Sequence, residues 1–151
     1  MGAAGPGYGR RMADLDFWLG EWEGTWDGGS ATNVVTRELD GHVVVERFSA
    51  RPPEPFTGTS LSVQDRRTGE WRQTWVDSTG SYWAFVGGPR DDGTFVLGTP
   101  ERVDEEQVYK RMVFSDIAAD SFSWRWESSA DGATWNLRWA ISYRRLPVTP
   151  R

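Results

Sequence analysis

Residues 70–86 read Glu-Trp-Arg-Gln-Thr-Trp-Val-Asp-Ser-Thr-Gly-Ser-Tyr-Trp-Ala-Phe-Val. On both sides of Thr79-Gly80 the residues are mostly aromatic, β-branched or in polar–apolar alternation, which is typical of strands. Glycine adopts the positive φ that tight hairpins need, so Thr79-Gly80 is predicted to be a turn. The stretch is therefore predicted to be a hairpin of two antiparallel strands, Glu70 to Asp77 and Ser81 to Val86.

The same pattern of strands and turns continues on both sides of this hairpin. Further turns are predicted at Asp40-Gly41, Thr68-Gly69, Asp92-Gly93 and Asp131-Gly132, with breaks at Pro52 to Pro55 and at Gly87-Gly88-Pro89. Strands are predicted over Ser30 to Leu39, His42 to Ala50, Gln107 to Ser115, Phe122 to Ser128 and Trp135 to Arg145, and weaker ones over Gly20 to Trp26, Gly58 to Asp65 and Thr94 to Gly98. Only Arg11 to Leu19 has a helical pattern, and this segment is short.

These elements predict an all-β domain. About ten antiparallel strands follow one another through short hairpins, and no helix separates them as it would in a parallel sheet. Closing the sheet into an up-and-down barrel removes its exposed edges, and the meander-like spacing of the turns favours this barrel over a two-layer sandwich. The 151 residues suit one domain. We expect it to span residues 12–146, with residues 1–11 as a disordered leader and residues 147–151 as a tail.

Composition excludes several classes of function. The chain has 22 acidic and 17 basic residues, and a net charge of −5 is unsuited to binding nucleic acid. It has no long apolar run, so no membrane partner is expected, and no secretory signal, so a cytoplasmic location is expected. Without cysteine, and with His42 as the single histidine, it has no disulfide, thiolate or multi-histidine metal site. No nucleotide-binding glycine motif is present, and neither a metal nor a cofactor is predicted.

Five short segments carry a resemblance to known proteins. They are Asp16 to Trp22, Trp75 to Ser78, Phe114 to Ile117, Ser129 to Trp135 and Tyr143 to Arg145. In this order they resemble an uncharacterised family of bacterial lipocalin-like domains of the calycin type, a group that includes lipocalins, fatty-acid-binding proteins and nitrobindins. The resemblance covers about residues 13–145 and implies a barrel.

The resemblance also carries expectations about single residues. It implies that Trp22 plugs one end of the barrel and that Arg144 or Arg145 lies over its indole, a cation–π contact. In nitrobindins a histidine near the chain end binds haem. His42 instead follows an early turn, and haem is therefore not predicted.

The side chains of a strand alternate between its two faces, so the larger aromatic residues indicate which face points inward. The predicted inward sets are Trp71, Gln73, Trp75 and Asp77, then His42, Val44, Glu46 and Phe48, then Phe122, Trp124 and Trp126, and finally Trp135, Leu137, Trp139, Ile141 and Tyr143. The second set is nearly balanced by Val43 and Val45, whereas Ser123, Arg125 and Glu127 are predicted to face solvent. For the strand from Gln107 the pattern leaves two inward sets open, Tyr109, Arg111 and Val113 or Lys110, Met112 and Phe114.

A wall of Trp and Tyr with few polar groups has the composition of a small-molecule cavity. The alternative is that the Trp side chains fill the barrel and that Glu46 and Arg111 form a structural ion pair. The predicted function is the binding of a small hydrophobic or aromatic molecule. The predicted ligand-binding residues are Gln73, Trp75, Asp77, Arg111, Trp124, Trp126, Trp139 and Tyr143.

A second predicted function is a cyclase or isomerase that shapes a secondary-metabolite substrate by proximity. In that case Asp77 and Glu46 are the acid–base candidates, and Tyr143 and Gln73 orient a carbonyl. Asp77 also has a purely structural interpretation, because it precedes the turn and Asp commonly caps turn amides. A homodimer formed through an exposed strand or Trp is a further open possibility.

Overall fold

The structure is a computed structural model that describes residues 12–148. The predicted disordered leader, residues 1–11, and residues 149–151 of the predicted tail lie outside the described residues.

The described residues form one 3₁₀ helix and ten strands. The helix is Met12–Trp18. The strands are β1 Gly20–Trp26, β2 Gly29–Glu38, β3 Val43–Ala50, β4 Phe56–Gln64, β5 Trp71–Asp77, β6 Tyr82–Pro89, β7 Phe95–Gly98, β8 Tyr109–Ser115, β9 Ser121–Ser129 and β10 Asn136–Arg145. The predicted sequence of about ten strands after a short N-terminal helix is confirmed.

The ten strands close into an antiparallel up-and-down barrel. Each strand pairs with its neighbours in the chain, and β1 also pairs with β10 through partners such as Trp22 and Arg145. Because the sheet closes on itself, no strand in it has an unpaired edge. The barrel prediction is confirmed, and the two-layer sandwich is wrong.

One strand starts later than the sequence predicted. The strand expected from Gln107 begins at Tyr109, because Asp104 and Gln107 adopt positive φ values of 57° and 53°. Such values belong to a turn and not to a strand. Val103 and Val108 form a single bridge that closes this turn ahead of β8.

The helix and the start of β1 seal one end of the barrel, which we call the closed end. Leu15 and Trp18 of the helix are buried, and Trp71 Nε1 of β5 donates a hydrogen bond to Asp14 Oδ2 at 3.1 Å. Trp22 is 0% exposed, donates from Nε1 to the Trp18 carbonyl at 2.8 Å, and packs edge-on against Phe122 at 4.7 Å between ring centroids. The closed end is thus filled by large aromatic side chains.

Arg145 covers the plug. Its guanidinium carbon lies 4.2 Å from the centre of the Trp22 ring. Its Nη1 and Nη2 donate to the carbonyls of Leu19 at 2.5 Å and Phe17 at 3.2 Å, so the last strand is tied to the end of the helix. Of the two candidates it is therefore Arg145 that covers Trp22, while Arg144 is exposed.

The predicted inward faces are mostly confirmed. Trp71, Gln73, Trp75 and Asp77 alternate with exposed residues along β5, as predicted. In β3 the buried residues Val44, Glu46 and Phe48 define the inner face, but the expected His42 precedes the strand. In β8 the inner residues are Lys110, Met112 and Phe114, which settles the choice that the sequence left open.

A bulge in β10 overturns part of the predicted inward set. The pairing of β10 with β9 shifts between Leu137 and Trp139, so the side-chain alternation changes phase there. Trp139, Ile141 and Tyr143 point inward as predicted. Leu137 is 59% exposed, and Trp135 lies before the strand against the guanidinium of Arg111, 4.0 Å from its ring centre. The inward prediction for Trp135 and Leu137 is therefore wrong.

Candidate functional site

A cavity of about 210 Å³ lies inside the barrel, and its lining runs from Trp18 of the helix to Asp77 at the far end of β5. Six Trp side chains line it. Trp18 of the helix is buried, and the other five are only partly buried: Trp75, Trp83, Trp124, Trp126 and Trp139. Phe48, Phe56 and Phe85 complete much of the remaining aromatic wall. We call this the Trp cavity, and we call the end of the barrel opposite the helix the open end.

The strand register explains why these Trp residues meet. Trp75 on β5 is the direct cross-strand partner of Trp83 on β6, and Trp126 on β9 is the partner of Trp139 on β10. Trp124 lies two residues before Trp126 and therefore on the same face. Two pairs of neighbouring strands thus bring indoles to the same level of the barrel.

The rings contact one another at steep angles. Trp83 meets Trp126 at 5.3 Å and 78°, and Trp139 meets Trp124 at 5.4 Å and 85° between ring planes. Such edge-to-face contacts each contribute about 0.5–1.5 kcal/mol beyond burial. They fix the indoles against one another and leave the space between them open.

Glu46 is a buried polar residue in the lining of the Trp cavity. Asn33 Nδ2 donates to its Oε2 at 2.8 Å, and Ser60 Oγ donates to its Oε1 at 2.8 Å. Burial raises the pKa of Glu46, and these two hydrogen bonds act in the opposite direction. Glu46 points into the barrel as predicted, and the alternative in which it forms an ion pair with Arg111 is wrong, because Arg111 pairs with Glu127.

Tyr143 lies on the same wall of the cavity as Glu46. Burial raises the pKa of its phenol well above the ordinary value, and the nearby carboxylate of Glu46 adds to this effect. Tyr143 therefore stays a neutral phenol with an O–H to donate. It also stacks on Phe122 at 4.8 Å, which joins the Trp cavity to the packed closed end.

Asp77 lies at the open end of the cavity, where β5 stops. Its Oδ1 accepts hydrogen bonds from the Thr79 amide at 2.9 Å, the Thr79 hydroxyl at 2.6 Å and the Ser81 amide at 3.3 Å. Its Oδ2 accepts from Trp75 Nε1 at 2.9 Å. Partial burial disfavours the carboxylate, but these bonds outweigh it and lower the pKa of Asp77. Asp77 thus holds the turn and also orients the Trp75 indole.

The Trp75 indole has a second support from the backbone. Gly58 of β4 is the cross-strand partner of Asp77, and a Cβ added to Gly58 would lie 2.2 Å from Trp75 Cζ2 and Cη2. No real Cβ contact is that short. The indole can lie against β4 only because residue 58 has no side chain.

Two predicted ligand-binding residues do not reach the Trp cavity. Gln73 points inward, but it is buried toward the closed end and donates from Nε2 to Ser62 Oγ at 2.9 Å. Arg111 lies on the outer face of β8, because the inner positions of that strand are the even-numbered ones. Its predicted place inside the barrel is therefore wrong.

Arg111 belongs instead to an ionic cluster on the outer wall. Its Nε donates to Glu127 Oε1 at 2.7 Å, and Arg125 Nε donates to Glu127 Oε2 at 3.3 Å. Glu127 was expected to face solvent, yet it is buried between these arginines. The prediction failed because alternation tells inside from outside but not which outer residues are covered.

The sequence predictions also missed part of the wall. Trp83, Phe48, Phe56 and Phe85 line the cavity but were not named as ligand-binding residues. Trp83 and Phe85 carried a usable signal, because they share one face of the strand that follows the Thr79-Gly80 turn. Phe56 carried none, because it directly follows the proline-rich break and its strand was predicted to start at Gly58.

A shallow groove adjoins the Trp cavity at the open end. It has a volume of about 480 Å³ and shares Phe56 and Trp139 with the cavity wall. Arg51 and Glu54 also line it, and Arg51 is paired with Glu23 at 2.6 Å. The groove therefore gives the open end a more polar margin than the cavity has.

Residues 12–148 contain no group of three or more His, Asp and Glu side chains placed to hold a metal ion. No helix in this part of the chain is long and apolar enough to cross a membrane.

Comparison with known proteins leaves the family open. No protein-family model matches this chain, and no curated protein matches it at a significant level. The resemblance to lipocalin-like domains stays a prediction, and the function has to be inferred from the Trp cavity.

Proposed function

We propose that this protein is a lipocalin-like barrel that binds a small hydrophobic or aromatic molecule in the Trp cavity. The observation that carries the proposal is the set of five partly buried Trp side chains around an open space of about 210 Å³. Large apolar side chains that only filled the barrel would pack until no such space remained, as they do at the closed end. An apolar wall with a few polar groups is the usual composition of a small-molecule site.

The volume limits the size of the ligand. An apolar cavity of about 150 Å³ accepts benzene, whereas drug-sized ligands occupy about 300 Å³ or more. The Trp cavity lies between these values. A ligand with one or two rings fits it, and a long lipid chain would have to extend into the groove beside Phe56 and Trp139.

Calorimetric titration with naphthalene, indole and phenethyl alcohol tests this proposal. We expect saturable binding of at least one of them, because each offers an aromatic body of suitable size. Met112→Trp should abolish the binding, since Met112 lines the cavity and a larger side chain there fills it. Leu137→Trp is the matched control, because Leu137 is exposed on the outside of the barrel. Absence of binding by the wild type up to the solubility limits would refute the proposal.

The cyclase or isomerase alternative is favoured by one observation. Glu46 and Asp77 line the same cavity, and their pKa values are shifted in opposite directions. Two carboxyl groups separated in this way can act as a general acid and a general base. In that role Glu46 would hold a proton within the cavity and Asp77 would stay ionised at its mouth.

A biosynthetic gene next to the one for this protein would identify an intermediate to test. Turnover of that intermediate by the wild type, with a loss of about a hundredfold or more in Glu46→Gln, would support the enzyme. Binding without turnover would contradict the enzyme alternative and support the ligand-binding proposal.

A further inference from the structure

The Trp cavity has an unbalanced set of titratable groups. Its lining includes the carboxyl groups of Glu46 and Asp77 and the phenol of Tyr143. Among the described residues, no Lys, Arg or His lines it. Lys110 is on the inner face of β8 but outside the cavity lining, with its Nζ 3.9 Å from Asp104 Oδ2, and Arg145 of β10 lies over Trp22 at the closed end.

We propose that the ligand of the Trp cavity is a small aromatic or apolar amine, bound as its ammonium cation with the nitrogen beside Glu46. This inference rests on the proposed function and adds the charge of the ligand to it. The apolar body lies between the Trp side chains, and the charged nitrogen lies at the wall formed by β2, β3 and β4.

The position of Glu46 suits an anchor for such a nitrogen. Its cross-strand partner is Ser60, whose own partner is Trp75, so the carboxyl group lies at the level of the Trp wall. Each oxygen of Glu46 accepts one hydrogen bond from the protein. A carboxylate offers about four acceptor positions, so both oxygens keep room for an N–H donor from a ligand.

The surroundings of Glu46 also favour a donor over an acceptor. Asn33 Oδ1 lies in a side chain that is 1% exposed, and this oxygen has no hydrogen-bond partner. Asn33 is directly bonded to Glu46, so its unpaired oxygen contributes negative partial charge at the same place. Buried acceptors without partners are rare in folded proteins and often mark a site completed by another molecule.

The aromatic wall also favours a cationic ligand. The face of an indole attracts cations more strongly than any other aromatic side chain, and this attraction grows when water is excluded. Six indoles line the cavity. An anionic ligand of the same shape would meet the two carboxylates with no basic group to pair with, so it is disfavoured by charge.

Asp77 has a different role from Glu46. Asp77 accepts four hydrogen bonds, three at Oδ1 from Thr79 and Ser81 and one at Oδ2 from Trp75, whereas Glu46 accepts two. Its charge lies at the mouth of the cavity, where it attracts a cation that approaches from solvent. Glu46 therefore anchors the nitrogen, and Asp77 contributes to the field along the path to it.

The test compares three ligands of nearly equal shape and different charge. Phenethylamine is a cation at neutral pH, phenethyl alcohol is neutral and hydrocinnamate is an anion. Calorimetric titration of the wild type should show phenethylamine binding about tenfold or more tightly than the alcohol, and hydrocinnamate binding most weakly. If the alcohol binds as tightly as the amine, or the anion binds more tightly, the inference is wrong while the proposed function stands. If none of the three binds, the inference is wrong, and the proposed function fails with it only if naphthalene and indole do not bind either.

A pair of variants tests the anchor itself. Glu46→Gln keeps the size of the side chain and removes its charge, so amine affinity should fall to about that of the alcohol, with alcohol affinity unchanged. Glu70→Gln removes the same charge from an exposed position near the closed end and should change neither. If folded Glu46→Gln still binds the amine more tightly than the alcohol, Glu46 is not the anchor. If that variant does not fold, the comparison of the three ligands on the wild type still tests the preference for a cation.

Discussion

The two ends of the barrel use the same side chain in opposite ways. At the closed end Trp18, Trp22 and Trp71 are almost completely buried, and they contact the helix, Arg145 and a cluster of Phe rings. At the open end Trp75, Trp83, Trp124, Trp126 and Trp139 are partly exposed around an unfilled space. Trp18 is packed at the closed end and also forms part of the cavity lining, so the two uses of Trp meet at the helix.

The difference has a local cause in the chain. The helix Met12–Trp18 precedes β1 and supplies Leu15 and Trp18 to fill the closed end. At the open end no helix of the described residues packs into the barrel, and the Trp side chains there stay partly exposed. Stability is thus concentrated at one end and binding capacity at the other.

Removing the plug should break this contrast most severely. Trp22→Ala removes a fully buried indole together with its hydrogen bond to Trp18 and its contact with Arg145. We expect a loss of about 3–5 kcal/mol in the free energy of unfolding, measured by urea denaturation. Trp124→Ala, a matched change at the open end, should cost about 1–2 kcal/mol because its indole is partly exposed. Equal losses for the two variants would show that the ends do not differ in packing.

A single methyl group on Gly58 should disturb the open end alone. Gly58→Ala places a Cβ 2.2 Å from the Trp75 indole, which must move into the cavity or out of the barrel. We expect a loss of about 1–3 kcal/mol in stability, with a change in Trp fluorescence. Gly98→Ala is the matched control, because its added Cβ would meet its nearest atoms at an ordinary 3.5 Å. If the two variants are equally stable, Trp75 is not held against β4.

The third prediction separates the structural role of Asp77 from a role in binding. In Asp77→Asn the amide oxygen can still accept from Thr79 and Ser81, but an NH₂ group then faces Trp75 Nε1. We expect about 1 kcal/mol of lost stability by urea denaturation, because one hydrogen bond to a charged group is lost and the turn survives. Phenethylamine affinity should fall less than in Glu46→Gln. A larger fall would make Asp77 the anchor in place of Glu46.

The smallest expected effect is a pH dependence of stability that arises from Glu46. Burial raises its pKa above the ordinary 4.5, so the folded state binds more protons than the unfolded state between 4.5 and the folded pKa. Stability from this group is therefore highest at low pH and falls as pH rises through that window. The groups around Glu46 are Asn33, Ser60 and Tyr143, of which the phenol does not ionise there.

Thermal unfolding of wild type and Glu46→Gln from pH 4.5 upward checks this expectation. The wild type should lose stability relative to the variant as pH rises. The effect of Asp77 on stability has the opposite sign and occurs at lower pH. Its pKa is lowered below 3.8 in the folded state, so its stabilising contribution is lost only on acidification. Parallel curves for the two proteins would mean that Glu46 keeps its ordinary pKa.

The fold was predictable because hairpins are local. Each Gly-containing turn fixes two neighbouring strands, and Trp71 to Asp77 show the alternation of a strand with one buried face. The closed end was predictable through the resemblance, which implied that Trp22 is the plug and named Arg145 as one of two candidates for its cover. In these places neighbouring residues, or a short motif, carry the necessary information.

The site was less predictable because the residues that line it are determined by strand phase and by pairing between strands, which a local pattern does not show. Arg111 was assigned to the interior because alternation alone cannot give the phase of a strand that begins in a turn at positive φ. Leu137 and Trp135 were placed inward because the bulge before Trp139 leaves no mark in the sequence. Phe56 follows a proline-rich break, so its part in the cavity wall emerges only when β4 pairs with β3.

The seam between β1 and β10 has a consequence for how the chain folds. Every other strand pair is a hairpin of neighbours, whereas Arg145 bonds to Leu19 across a sequence separation of 126 residues. Closing so long a loop costs more entropy than forming any of the hairpins, so the seam should form last on the way to the native state. Contacts that form after the transition state govern the rate of unfolding rather than the rate of folding. Trp22 and Arg145 would then act as a latch that sets how long the barrel stays closed.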